Sequence, residues 1–414
     1  MAIAAPISPE HIAIVKATAP VLKEHGVTIT SLFYKNMIGA HPELKNIFSL
    51  SNQASGDQPR ALAAAVLAYA TYVDDLGKLG HLVERIAHKH ESLNVQPDQY
   101  QIVGKHLIEA VATVLGDACT PDIAEAWTAA YAALAYIFIG RERQLYAAHG
   151  DWPGWRRFRI ARKEPETAAI TSFYLEPEDG AALPAFLPGQ YVSIQLFVPQ
   201  LGHMQPRQYS LSEAPRPDYY RISVKREDGA GAGLPGLISN ILHADYHVGD
   251  TLELSAPAGE FFIDPNADAE QPVVLISAGV GLTPMISIVN SATAAAAAGG
   301  PKRRISWIHG AHTAAARAFA GRVREAAAQG TLLNTTLFVT EPAAGDAQGA
   351  EYDVAGRIDL AKVDREAALF LGDARAEYYV CGPYAFMKDV EAWLVRAGVA
   401  EDRVHLEVFG TGDQ

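Results

Sequence analysis

Trp152-Pro153-Gly154-Trp155 separates two stretches of different character. Before it, Ala, Leu and Ile stripes recur at helical spacing; after it come short alternating segments punctuated by Gly and Pro. A domain boundary falls there. Residues 1–150 carry almost no strand signal, and turn clusters at residues 39–42, 51–59 and 94–97 separate one helix from the next. This predicts an all-α domain.

Downstream, Tyr191-Val-Ser-Ile-Gln-Leu-Phe197 and Tyr220-Arg-Ile-Ser-Val-Lys225 alternate apolar and polar side chains between turns, as antiparallel strands do. A multidomain chain follows, with an antiparallel β-barrel over residues 151–266. Pro272-Val-Val-Leu-Ile-Ser277 is a continuous apolar strand, and Ile305-Ser-Trp-Ile308, Leu337-Phe-Val339 and Tyr378-Tyr-Val380 recur between helical stretches. Residues 267–414 therefore read as an α/β domain with a doubly wound parallel sheet. The Ala-rich residues 292–298 form a plain helix stopped by Gly299-Gly300-Pro301.

The 414 residues carry 34 basic and 47 acidic side chains, a net charge of -13 that argues against nucleic acid as a partner. Arg156-Arg157-Phe158-Arg159 and Lys302-Arg303-Arg304 are too short to reverse that field and read as solvated strand ends. Two cysteines, Cys119 and Cys381, cannot make a disulfide framework or a four-thiolate metal site, which fits a reducing cytoplasm. The longest apolar run, residues 126–140, falls short of the ~18 residues of a membrane span and predicts a buried helix. Residues 1–10 lack the pattern of a secretory signal.

His81-Leu-Val-Glu-Arg-Ile-Ala-His-Lys-His90 holds three histidines on one predicted helix. His90 falls within ~40° of the face set by Leu82, Val83 and Ile86, whereas His81 and His88 fall roughly 180° and 200° from it. Only His90 is expected to point inward. By itself it reads as a satisfied core histidine or as a ligand.

Around it stand Phe33-Tyr34, Pro42-Glu-Leu-Lys-Asn-Ile-Phe48, Asp57-Gln58-Pro59-Arg60-Ala61-Leu62, Lys89-His90, Gln96-Pro97-Asp98-Gln99-Tyr100 and Gly140-Arg141-Glu142. Singly, Tyr34 reads as a core aromatic, Gln58 as a helix-start polar residue and Glu142 as a surface acid beside Arg141 or Arg143. In this order they resemble the globin domain of bacterial flavohemoglobins, and the resemblance runs through nearly the whole chain. It implies a b-type heme with His90 as proximal ligand, Tyr100 and Glu142 around that imidazole, and Phe48 packed on the porphyrin. Tyr34 and Gln58 would line the distal side and donate to bound oxygen, with Leu62 restricting access. Lys89 and Glu407 join the catalytic set by the same resemblance. The family's distal cavity also admits a lipid or apolar inhibitor.

Phe186-Leu-Pro-Gly189-Gln-Tyr191 and Arg207-Gln208-Tyr209-Ser210 resemble the flavin site of ferredoxin-reductase-like proteins. The resemblance implies FAD, with Arg207 on the pyrophosphate, Tyr191 and Tyr209 at the flavin, Gln208 beside them, and the Ser210 hydroxyl reaching a ring nitrogen. Gly236-Leu-Ile-Ser239-Asn240 looks like the helix start that faces the flavin phosphates, after a Gly-rich stretch at residues 228–236.

Ser277-Ala278-Gly279-Val280-Gly281-Leu282-Thr283-Pro284-Met285 leaves an apolar strand and opens a helix. Its sixth position is Pro284, so it is not the dinucleotide fingerprint of Rossmann folds, yet two glycines and a helix start suit a pyrophosphate in the same way. Tyr378-Tyr-Val-Cys381-Gly382-Pro383 repeats the strand-then-turn arrangement. By resemblance the Cys381 region lies near the nicotinamide, and Glu407-Val408-Phe409-Gly410 closes over the flavin, with Glu407 near the electron path. Thr411-Gly412 stands where relatives often have Pro. After the second strand, His309-Gly310-Ala311-His312-Thr313 precedes the first arginine, Arg317, a pattern that leans to NADH over NADPH.

The function so implied is nitric oxide dioxygenation: electrons pass from NAD(P)H through FAD to heme, where O2 and NO give nitrate. The partners are these small molecules, and the chain is expected to act as a monomer. The alternatives are a gas sensor or oxygen carrier with its own reductase, or a general flavin reductase.

Overall fold

The computed structural model describes residues 7–150, 152, 154–229, 236–264 and 268–410, with the side chains of residues 51, 52, 54, 332 and 333 undescribed. Pro153 of the boundary motif, residues 230–235 of the Gly-rich stretch and Thr411-Gly412 lie outside the described residues.

Seven α-helices lead the described chain: α1 (Pro9–Ala17), α2 (Ala19–Ala40), α3 (Leu50–Ser55), α4 (Asp57–Tyr72), α5 (Gly80–Ser92), α6 (Gln99–Leu115) and α7 (Pro121–Ala148). Their starts are set locally. Ser8 and Thr120 accept from the backbone N–H groups of His11 and Ile123 at 3.1 and 3.4 Å, each followed by a proline whose missing N–H costs nothing there. Ile29, Phe33 and Met37 of α2 pack with Leu107 and Val111 of α6 and with Ala126, Trp127 and Ala130 of α7. Gly26 lets α2 close on α4, because a Cβ there would stand 3.3 Å from that of Ala63.

Helix α7 extends well beyond the apolar run of residues 126–140. It and the segment Gly279–Ala297 are long and apolar enough to cross a membrane by length and composition alone. Both are core helices: Trp127 and Phe138 of the first, and Met285, Ile286 and Ile288 of the second, are buried.

The strands β1 (Arg156–Pro165), β2 (Ile170–Pro177), β3 (Tyr191–Val198), β4 (His203–Ser210), β5 (Tyr220–Lys225) and β6 (Thr251–Leu254) form an antiparallel sheet in the order β4-β3-β6-β1-β2-β5. An antiparallel bridge between Leu211 and Ile222 joins the two ends, closing the barrel. Helix α8 (Leu237–Ala244) lies between β5 and β6 in sequence. The alternation in β5 suggests one wet face, but residues 220–224 are all buried. Arg221 is covered by the Phe319 ring at 4.9 Å, and Ser223 shares hydrogen bonds with Ser172 and Ser212, both at 2.8 Å.

The remaining elements are β7 (Val273–Ala278), α9 (Leu282–Ala297), β8 (Ile305–Ala311), α10 (Ala320–Ala328), β9 (Leu332–Val339), β10 (Val354–Ala355), β11 (Glu377–Cys381), α11 (Tyr384–Arg396) and β12 (Val404–Glu407). Their six strands make a parallel sheet ordered β10-β9-β8-β7-β11-β12. Val273 and Leu275 pack toward α9, and Val274 and Ile276 toward α11, so the apolar run of β7 is buried on both faces. The chain winds outward from β7 through β8, β9 and β10, then returns to β11. This puts the switch point of the sheet between β7 and β11, where such sheets bind ligands.

The described chain divides into two compact units, the residues up to Trp155 with Gln195–Arg207, and Arg156–Ile194 with Gln208–Gly410. The barrel strands and the parallel sheet fall mostly within one of these units. A shared core explains it: Ile170, Phe261 and Ile263 pack in the same cluster as Leu275, Ile286 and Trp307.

Candidate functional site

In the helical unit, His90 Nδ1 lies 2.8 Å from Glu142 Oε1 and 2.9 Å from Tyr100 Oη, and Tyr100 donates to the same carboxylate oxygen at 2.5 Å. Glu142 is buried on α7, Tyr100 opens α6, and His90 sits in the last turn of α5. With a carboxylate as acceptor, Nδ1 is the donor nitrogen, which leaves Nε2 as the atom that could meet a metal. A histidine held from behind in this way is the arrangement in which a metal-ligating imidazole is oriented by a second partner. Burial and the Glu142 charge push the Tyr100 hydroxyl far up, so it stays a donor. Tyr131 holds Tyr100 in place by donating to its carbonyl at 2.6 Å, and Gly104 makes room: a Cβ there would meet the Tyr131 ring at 2.4 Å.

Tyr34 of α2 is buried, edge-on to Phe48 at 5.5 Å and hydrogen-bonded to Gln58. Burial raises its hydroxyl far above the usual tyrosine range. Gln53 donates to Gln58 Oε1 at 2.9 Å, leaving the Gln58 amide N–H groups to act as donors. Leu62, one turn along α4 from Gln58, packs half-buried against the helical core. The structure thus brings Tyr34, Gln58 and Phe48 together, and separately His90, Tyr100 and Glu142. Lys89 is half-buried in the turn that carries His90.

The expectation that only His90 of the three histidines turns inward needs correction. His81 is exposed, but the His88 side chain is only 11% exposed, against 32% for His90. Burial, with Arg141 of α7 and His149 just past its end close by, lowers its pKa to about 4 and keeps it neutral. Helix α5 is packed on more than its apolar face. Two further groups went unread in the sequence. Glu91 is buried with its pKa raised to about 8, 3.4 Å from His149. Gln205, also in this unit, donates to the Lys45 carbonyl at 2.8 Å and accepts from Leu50 N–H at 3.0 Å, tying down the segment that carries Phe48.

Strand β4 carries Arg207, Gln208, Tyr209 and Ser210. Arg207 Nη1 donates to the Pro206 carbonyl at 2.7 Å, and Gln208 Nε2 donates to Ser193 Oγ at 3.1 Å. Ser210 Oγ is buried with no hydrogen-bond partner among the described residues, as expected of a hydroxyl built for a bound group. Gly189, at φ +115°, passes the Phe261 carbonyl where a Cβ would come within 2.6 Å. It thereby sets the start of β3, whose Tyr191 exchanges backbone hydrogen bonds with Ala258 at 2.8 and 2.9 Å. At the start of α8, Ser239 Oγ accepts from Glu227 N–H at 3.2 Å, and among the described residues no side chain caps the helix. Its first N–H groups are available to an anion.

Gly279, Val280 and Gly281 form a single 3-10 turn between β7 and α9, with Leu282, Thr283 and Pro284 buried in the first turn of the helix. Gly279 has φ +56° and open space where its Cβ would be. Gly281 faces the other way, and a Cβ there would stand 2.3 Å from the Cys381 carbonyl. Ser277 is level with Cys381 in the sheet, and Cys381 with Glu407, so the turns after β7 and β11 meet tip to tip. Gly382 and Pro383 complete the second turn, Pro383 capping α11. Cys381 is fully buried, and burial with the Glu407 charge raises its thiol pKa, so it contributes backbone rather than a nucleophile. After β12, Val408 packs into the α11 side of the sheet and Phe409 is 45% exposed. Gly410 follows at φ +148°. His309 is buried, and Arg317 donates to the Glu351 carbonyl at 3.0 Å.

Fold and site together define a globin joined to an oxidoreductase module of the FAD and nicotinamide type. A globin family model matches residues 31–138, and an oxidoreductase NAD-binding domain model matches residues 275–392. The flavohemoprotein of Bordetella pertussis is 50% identical over 411 residues, 98% of this chain and 99% of that protein. That of Deinococcus radiodurans is 47% identical over 408 residues, 98% and 97%. Among solved structures, the flavohemoglobin of Malassezia yamatoensis with bound FAD and heme is similar at a TM-score of 0.85 and 32% identity, over 98% of this chain and 100% of that one. The FAD/NAD binding domain of a nitric oxide dioxygenase from Vibrio cholerae matches at 0.53 and 36% identity, over 62% and 99%. The chain belongs to the flavohemoprotein family, and it is an oxidoreductase.

Proposed function

We propose that the protein is a nitric oxide dioxygenase that uses NADH or NADPH, FAD and a b-type heme to turn NO and O2 into nitrate. The observation that carries this reading is the Glu142–His90–Tyr100 cluster: an imidazole held from behind by a buried carboxylate is the donor expected where iron activates oxygen rather than storing it. When bound, FAD accepts a hydride and releases electrons singly, and heme offers iron with a position open to O2.

The residues divide the remaining work. His90 would hold the heme iron through Nε2, with Glu142 orienting the ring from the Nδ1 side. Tyr34 and Gln58 would offer hydrogen-bond donors to the O2 substrate, and Leu62 and Phe48 would keep water from the pocket. Ser210 would hold the flavin ring, Arg207 and the start of α8 its phosphates, and the turn at residues 279–284 would receive the dinucleotide. Each NO and O2 take up one electron to give nitrate, so one hydride serves two turnovers. Arg317 is engaged with the Glu351 carbonyl and His309 is neutral, which favours NADH. Both cysteines are free thiols, as a reducing compartment keeps them, and we place the protein in the cytoplasm.

The test is NO consumption under O2 with NADH. His90→Ala is expected to retain flavin and NADH-dependent ferricyanide reduction while NO consumption falls at least ~1000-fold. Rapid NO turnover by heme-free variant protein would overturn the assignment.

A further inference from the structure

Glu213 follows the flavin strand by three residues and is almost fully buried, yet nothing in the chemistry above uses it. Its backbone carbonyl accepts from Ser287 Oγ at 2.8 Å, and its Oε1 accepts from Asn290 Nδ2 at 2.7 Å. Ser287 and Asn290 are three residues apart on α9 and share one face. The other carboxylate oxygen lies 3.1 Å from Arg221 Nη1 on β5 and 3.8 Å from Arg322 Nη1 on α10. Arg221 has no exposed surface; its guanidinium also donates to the Ser212 carbonyl and to Ser212 Oγ.

A buried ion pair is a poor source of stability, because desolvating two charges offsets most of their attraction and apolar residues of similar volume serve as well. What apolar packing does not supply is registry. Two hydrogen bonds from one residue to one helix face fix both the rotation and the axial position of α9. A one-residue slip would turn the helix by ~100° and move it ~1.5 Å. The amino end of α9 is the turn at residues 279–284, one helical turn before Ser287, and Glu213 is continuous with Tyr209 and Ser210.

We propose that Glu213 is a positioning residue: through Ser287 and Asn290 it sets where the nicotinamide meets the flavin. This rests on the reading of residues 279–284 as the dinucleotide site. The step it serves breaks a C–H bond of the nicotinamide and carries the hydride, with its electron pair, to the flavin ring; the nicotinamide is oxidised, the flavin is reduced, and Glu213 exchanges no proton. Hydride donor and acceptor must approach to about 3–3.5 Å, and a misplacement of ~1 Å costs about 100-fold in rate.

Ser287→Ala with Asn290→Ala removes both bonds while leaving the Glu213–Arg221 pair intact. Anaerobic stopped-flow reduction of the flavin in the holoenzyme by NADH gives a limiting rate and a Kd. The charge-transfer absorbance of reduced flavin mixed with NAD+ reports the stacking independently of turnover. The double variant is expected to lose ~10–100-fold in limiting rate, shift Kd by less than ~3-fold, and show a weaker charge-transfer band. Each single variant should show a smaller loss of the same sign, so either carries the test if the double variant does not fold. An unchanged limiting rate and band, including the case where only the thermal midpoint falls, would overturn the proposal. Failure of the wild-type flavin to be reduced by NADH or NADPH would instead overturn the reading of the dinucleotide site.

Discussion

Glu142 Oε1 and His90 Nδ1, contributed by α7 and α5, stand 2.8 Å apart with the carboxylate buried. The imidazole is therefore oriented from behind by a carboxylate. Glu142→Gln keeps the shape and an acceptor but removes the charge. The expected result is a lower-frequency iron–histidine stretch in the resonance Raman spectrum of the ferrous protein and a ~10–100-fold loss in NO consumption, with flavin reduction untouched. An unmoved stretch would mean the carboxylate does not tune the ligand.

The Tyr34 hydroxyl is held by Gln58 and kept protonated by burial, and under the proposed function it faces the oxygen-binding side of the heme. A donor to bound oxygen slows its escape. Tyr34→Phe is expected to speed O2 dissociation from the ferrous protein ~10–100-fold, as measured by stopped-flow displacement with CO. Because burial raises the hydroxyl pKa far above the usual range, the wild-type dissociation rate should stay flat up to about pH 10.

His309 gives the reductase unit a stability that depends on pH. Burial, and secondarily the Arg317 charge, lower its pKa from 6.5 to about 4, and Nδ1 is engaged with Ser277 Oγ at 2.9 Å. Between those values the unfolded chain binds a proton there that the folded protein refuses. Its contribution is thus full above pH 6.5 and is lost as pH falls toward about 4, a difference on the order of 3 kcal/mol. His309→Gln should narrow the gap between urea midpoints at about pH 7.5 and about pH 4.5, monitored by Trp307 fluorescence. An equal gap in both proteins would refute it.

Legibility followed the range of the interaction. The apolar face of α5, the β7 run buried on both faces and the two Gly turns were readable because period and turn chemistry are local. His88 was misread because periodicity shows which face is apolar, not that α7 also covers a face bearing Glu84 and His88. Gln205, Glu213 and Arg221 were illegible for a different reason. Each is a polar type ordinarily found on surfaces, and Gln205 and Glu213 reach partners about 155–160 and 74–77 residues away. The strand pattern around Arg221 promised an outward-facing side chain, and only the packing of Phe319 over it reverses that.

The two glycines of the dinucleotide turn separate fold from function. At Gly281 an added Cβ would lie 2.3 Å from the Cys381 carbonyl and 2.8 Å from Gly382 N, and backbone cannot swing aside as a side chain can. Gly281→Ala should cost about 1–3 kcal/mol or more, loosening the contact between the β7 and β11 turns. At Gly279 nothing stands within 4 Å, so Gly279→Ala meets only the strain of φ +56°, about 1–2 kcal/mol. That methyl would project into the open space before α9, where a pyrophosphate needs bare backbone. Gly279→Ala is therefore expected to keep its thermal midpoint within a few degrees while KM for NADH rises ~10-fold or more. Gly281→Ala should lower the midpoint of the reductase unit and leave the heme absorbance unchanged. If Gly279→Ala binds NADH as well as the wild type, the pyrophosphate does not sit at this turn.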